Sequence, residues 1–192
     1  GLSLSPASIQ AWAERRPAEI RTPAERGLAG GASRPPAIGR LILPSPNGSS
    51  ICRTLAERGS PVLAGCLRNA ATVADWLGHA RAAGRVSAFA VIAAGEHWPD
   101  GSLRPAVEDL WGAGAVLARL RRALPELTFS PEAQAAIAAF AATEPQLPDS
   151  LRACADGREL IEDGFGQDVA LAAELDADRV VPLLVDHRFR PA

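Results

Sequence analysis

Residues 86–93 are apolar at every position except Ser87. A strand with one wet face alternates polar and apolar side chains. An unbroken apolar run instead predicts a strand covered on both sides, as in a parallel sheet sandwiched by helices. Two shorter apolar runs precede it, Leu41-Ile42-Leu43 and Pro61-Val62-Leu63-Ala64. Each run leads through a turn into helical spacing. The first helix is expected through Arg58. The second is expected to Ala83, with Val73, Trp76 and Leu77 on one face, and the third over residues 105–124, where Pro105 suits a first turn. Three strand–loop–helix units in succession predict a parallel sheet with covering helices. The last third reads as helices over residues 131–143, 147–155, 158–163 and 167–175, followed by a strand over 180–185. The expected fold is therefore a three-layer α/β/α arrangement with a largely parallel sheet and a helix-rich C-terminal third.

A length of 192 residues suits one domain of this kind. Residues 1–38 are expected to be a partly disordered N-terminal segment, because they are rich in Gly, Pro and Arg; Ser5 and Pro6 could cap a short helix through Trp12. Residues 39–192 are expected to be the α/β domain. The chain contains no Met, which predicts either that residues were removed or that an N-terminal part is missing. The formal net charge is −2, so nothing pulls the chain towards nucleic acid. No apolar run reaches the roughly 18 residues of a bilayer span, and no membrane association is expected. Cys52, Cys66 and Cys154 have neither disulfide-framework nor metal-ligand spacing, which fits a reduced, cytoplasmic protein. The chain has no Lys. Any cationic side chain that anchors a ligand is therefore Arg, which grips oxyanions with two parallel N–H donors.

Ligands of open α/β sheets bind beyond the carboxyl ends of the strands, where helix N-termini offer free N–H groups. After the first run stand Asn47, Gly48 and Ser49, a candidate cradle for phosphate or sulfonate oxygens; a turn with a Ser cap is the plainer reading. After the second stand Arg68 and Asn69, an oxyanion clamp or a surface Arg beside a capping Asn. After the third, polar density peaks. Glu96, His97, Asp100, Ser102, Arg104, Glu108 and Asp109 fall within fourteen residues. Clustered carboxylates there suit Mg²⁺, a hard cation that prefers oxygen ligands, although Glu108 and Asp109 also complement a helix dipole. Residues 156–159 and 164–168 read as turns with caps. The P-loop, the serine-hydrolase elbow, the zinc deaminase signature and the cysteine-phosphatase loop are all absent.

Taken together, SPNGSS at residues 45–50, AGCLRNAATVADWL at 64–77, VIAAGEHWPDGSLRPAVEDLWGAGAV at 91–116, ADGRELIEDGFGQDVALAAELD at 155–176 and VVPLLVD at 180–186 resemble the 2-phosphosulfolactate phosphatase family, in order along the chain. GLSLSPASI at 1–9 resembles a further stretch of that family. The resemblance implies an α/β/α fold and Mg²⁺-dependent hydrolysis of phosphosulfolactate to sulfolactate and phosphate, a step of coenzyme M synthesis. On this reading the chain is an N-terminally truncated member that lacks the family's first strand motif. Its substrate is a small phosphate ester, and a homo-oligomer is possible. Catalytic candidates are Glu96, Glu108 and Asp109, and Asp100 joins them as a Mg²⁺ ligand. Substrate-binding candidates are Asn47, Gly48, Ser49, Arg68, Asn69, Arg104 and Arg158. The alternatives are a non-catalytic small-anion-binding protein and an inactive truncated remnant on the same scaffold.

Overall fold

The computed structural model describes Pro6, Ala7 and Ile9, which are helical, and residues 46–192. The chain divides into two compact units, Gly1–Pro44 and Ser45–Ala192. The expected strand at residues 41–43 and the expected disorder before residue 39 lie outside the described residues, as does most of the expected helix through Trp12. The second unit carries everything that follows.

Seven α-helices order this unit: α1 (Pro46–Glu57), α2 (Ala70–Ala82), α3 (Val107–Ala123), α4 (Pro131–Thr143), α5 (Leu147–Ala153), α6 (Ala155–Glu162) and α7 (Gly166–Ala172). Their ends follow from local chemistry. Ser130 caps α4 by accepting a hydrogen bond from Ala133 N at 3.2 Å, and Pro131 fills the first helical position, where a missing N–H costs nothing. α3 places Glu108 and Asp109 in its first turn and Arg121 and Arg122 in its last, each sign matched to the adjacent end of the helix dipole.

The core forms where α3 packs against both α2 and α4. Val73 and Ala74 of α2, Ala115, Val116 and Leu120 of α3, and Ala136, Ile137 and Phe140 of α4 are all buried in one cluster. Gly114 makes the close approach possible. A methyl group at that position would lie 2.8 Å from Phe140 Cβ and overlap the Ala136 carbonyl oxygen, well inside van der Waals contact.

The sheet expectation needs correcting. Among the described residues there are two antiparallel pairs and no parallel pairing. β1 (Glu96–His97) pairs with β2 (Leu103–Arg104), and β3 (Pro182–Val185) with β4 (Arg188–Pro191). Residues 61–64 contribute a single antiparallel bridge, Leu63 to Leu183. Residues 86–93 form no strand, and Ile92 is 50% exposed. Apolar runs report a preference for burial, whereas a strand also requires a neighbour for each N–H and C=O. Those neighbours are not found among the described residues. The expected strand over 180–185 is present as β3, but it turns back through Asp186 (φ 48°) and His187 (φ 59°). Two consecutive left-handed residues make the hairpin turn whose twist matches antiparallel strands. Among the described residues, no helix is long and apolar enough to cross a membrane.

One polar clamp fastens the segment after α7 to the start of α2. Asp176, itself left-handed at φ 57°, accepts from Ala71 N at 2.7 Å and from Arg119 Nε and Nη2 at 3.0 and 2.8 Å. Arg119 also reaches Glu144 at 3.1 Å. Arg68 pairs with Asp178 and Glu174 and donates to Leu171 O at 2.7 Å. Asp176→Ala removes a helix cap and leaves a mostly buried guanidinium short of a partner. It should lower stability by about 2 kcal/mol, read as an earlier urea midpoint at unchanged slope.

Candidate active site

The polar stretch from Gly95 to Asp109 folds as a short hairpin leading into α3. Gly95 (φ +67°) and Gly101 (φ +83°) adopt the left-handed backbone that lets the chain turn at its base and tip. The register sets Glu96 opposite Arg104 and His97 opposite Leu103. Asp100 closes the tip by accepting from Ser102 N at 2.9 Å and Ser102 Oγ at 2.6 Å. These bonds hold its carboxyl below the usual range. Arg104 lies over the Trp98 ring, 5.2 Å from its centroid. It forms ion pairs with Asp156 and Glu159 of α6.

Below the hairpin, three elements meet at one residue. Asn47, in the first turn of α1, donates through Nδ2 to Gly95 O at 2.6 Å. Gly95 N donates to Asp109 Oδ2 at 2.7 Å. Asn47 is 7% exposed, and its Oδ1 is buried with no hydrogen-bond partner. Beside Asp109, the Glu108 carboxyl is pushed up to about 7, first by burial and then by a hydrogen bond shared with the Asp156 carboxyl. Asp109 is also raised, by burial and then by the charge of Asp156, against the lowering effect of its bond from Gly95. Cys154 stands next to this group and caps α6 by accepting from Gly157 N at 3.3 Å. Burial, with Glu108 and Asp156 adding to it, holds its thiol above the ordinary value. Two carboxyls on adjacent residues thus sit in unlike settings, one beside the Asp156 carboxyl and one bonded to a backbone N–H. Such pairs can divide acid and base duties.

The structure brings Asn47, Arg104, Glu108 and Asp109 together. Gly48 and Ser49 belong to the first turn of α1, not to a loop before it, because Pro46 starts the helix earlier than the Ser cap implied. Glu96 and Asp100 are exposed on the hairpin. Among the described residues, no three His, Cys, Asp or Glu side chains are grouped to hold a metal ion. Arg68 is occupied in the clamp on α2. Asn69 is buried, donating to Ala64 O and Val180 O at 3.3 and 3.1 Å and accepting from Cys66 N at 2.8 Å. Arg158 is exposed on α6. Sequence reasoning missed Asp156, Cys154 and Glu159. Asp156 lies 52 residues from Arg104, and residues 156–159 read as a turn with a cap.

A family model described as 2-phosphosulpholactate phosphatase matches residues 37–187. That span holds every residue of the cluster. No curated protein matches the chain.

Proposed function

We propose, for a chain that belongs to the 2-phosphosulpholactate phosphatase family, that the cluster around Gly95 is where a small phosphate ester is hydrolysed. The family is one of phosphoric monoester hydrolases. The finer reading is that the substrate is 2-phosphosulfolactate, released as sulfolactate and phosphate within coenzyme M biosynthesis. The observation that carries the reading is the meeting of Asn47 and Asp109 at Gly95 beside the half-buried Glu108 carboxyl, which burial and then Asp156 push up to about 7. An acid that is still protonated near neutral pH can give its proton to the departing alkoxide oxygen. On this reading Asp109 takes a proton from water. Arg104, paired with Asp156 and Glu159, offsets negative charge that would repel an anionic ester. The first-turn N–H groups of α1 at Gly48 and Ser49, and the exposed Arg158, are proposed to receive the remaining oxyanions.

Among the described residues, no protein-built cage fits the Mg²⁺ that the family resemblance implies. Glu96 and Asp100 point to solvent-exposed positions, and Glu108 faces Asp156. Mg²⁺ commonly keeps several waters and binds through substrate phosphates, so it is proposed to arrive as the counter-ion of the ester. Accordingly, Mg²⁺ alone should move the thermal midpoint by less than about 1 °C, because stabilisation requires binding to the folded chain. A shift of several degrees in differential scanning fluorimetry would reveal a built metal site. Three free cysteines support a reducing, cytoplasmic setting.

Phosphate release from 2-phosphosulfolactate and a panel of other small esters, with and without Mg²⁺, tests the function. Turnover that favours the sulfonated ester supports the finer reading. Ligand-induced stabilisation without turnover on any ester would leave an anion-binding protein in its place.

A further inference from the structure

The amide of Asn47 is oriented by its surroundings. Gly95 O is an acceptor, so the atom facing it at 2.6 Å is Nδ2, and Oδ1 is fixed on the other side. That oxygen is buried and has no partner, in a residue only 7% exposed. A buried acceptor left unmet costs roughly 1–3 kcal/mol, and the arrangement calls for a group that brings a hydrogen. An ester's phosphate or sulfonate oxygens bring none and would be repelled. Asn47 was a candidate anion ligand on sequence; the direction of its amide argues for a different occupant. The residue lies at the second position of α1, whose twelve residues present their positive dipole end there. A donor that becomes negatively charged as it reacts is favoured at such a place.

We infer that Asn47 is a catalytic residue whose Oδ1 accepts a hydrogen bond from the water that attacks phosphorus. The inference rests on the phosphatase reading given above. Asn47 and Asp109 grip the same residue, one at Gly95 O and the other at Gly95 N, so amide and carboxylate are held in one frame. One water hydrogen is bonded to Asn47 Oδ1. The other proton passes to the Asp109 carboxylate as the water oxygen forms its bond to phosphorus. The ester P–O bond breaks, its electron pair leaves with the alcohol oxygen, and that oxygen takes the proton of Glu108. The products are one alcohol and one phosphate, with Asp109 protonated and Glu108 ionised until they exchange with solvent. The carbonyl of Gly95 has no part in the chemistry. It serves to turn the amide.

Steady-state kinetics of the whole chain, Asn47→Ala and Asn47→Asp on the best ester of the panel test this, with near-UV circular dichroism reporting the fold. Water held in line is lost when its acceptor is removed, so Asn47→Ala should lower kcat about a hundredfold while KM changes less than about twofold. Asn47→Asp keeps an oxygen where Oδ1 stands, and only its protonated carboxyl can still donate to Gly95 O, so on the acid side its kcat should recover to within about tenfold of the parent. If Asn47→Ala keeps kcat, or raises KM at constant kcat, the residue does not hold the water and the inference is overturned. A folded Asn47→Asp that is as slow as Asn47→Ala at every pH, acid side included, overturns it equally. An inert parent chain overturns the phosphatase reading itself. An active parent with unaffected Asn47 variants overturns this inference alone.

Discussion

Glu108→Gln should lower kcat by about 10²–10³ while making the protein more stable above neutral pH. The amide keeps the size of the side chain and removes the proton proposed above to go to the leaving oxygen. The pH dependence separates this role from a structural one. In the folded chain the carboxyl titrates near 7, above its ordinary 4.5, with burial as the first cause and Asp156 as the second. The protonated form is therefore favoured by folding. Its contribution to stability is complete below about 4.5 and is lost as pH rises through about 7. Activity that needs the proton declines over the upper part of that window. The parent should show both declines, in turnover and in urea midpoint. Glu108→Gln should show a shallower decline in midpoint across it, because the raised Asp109 carboxyl remains. A variant that retains parent turnover would remove Glu108 from the chemistry.

Gly157→Ala should be the most damaging single methyl group in the described chain. At that position a Cβ would overlap the Leu151 carbonyl oxygen and lie 3.2 Å from Cys154 Sγ. Both obstacles belong to the tight corner between α5 and α6, and a backbone carbonyl cannot swing away as a side-chain tip can. The corner must open, at a cost of about 3 kcal/mol or more. Asp156 is the adjacent residue, so its contacts with Arg104 and Glu108 should loosen too. Gly112→Ala is the control. No atom beyond the helix's own backbone lies within 4 Å of a Cβ there, and replacing Gly by Ala within a helix is worth up to about 1 kcal/mol. The thermal midpoints should move in opposite directions. Equal midpoints would mean that the corner at Gly157 yields without strain.

The helices were largely legible because their signals are local. Ser130, Pro131 and the alanine-rich spacing that follows mark α4 from Pro131 to Thr143 without help from the rest of the chain. β4 was not legible. Its turn uses Asp186 and His187 at positive φ, with no glycine to announce it. Residues 86–93 misled for the opposite reason: their apolarity speaks of burial, whereas strand formation depends on partners elsewhere. The site divides along the same line. Glu108 and Asp109 stand out because a dense polar loop runs into a helix at that point. Asp156 and Cys154 join them through space alone. The orientation of the Asn47 amide is set by a carbonyl 48 residues away, which residue types cannot reveal.

The position of α3 has a consequence for how this protein fails. Its first turn supplies Glu108 and Asp109, and its middle, from Gly114 to Leu120, lies in the core. One rigid rod therefore carries both the acids and the packing. Regions that open separately from the core lose function well before they lose structure. Here the two acids have no such independence. On gradual heating, amide exchange in the middle of α3 and loss of turnover should track the cooperative melting of the whole unit, so the enzyme would warn of denaturation only as it happens.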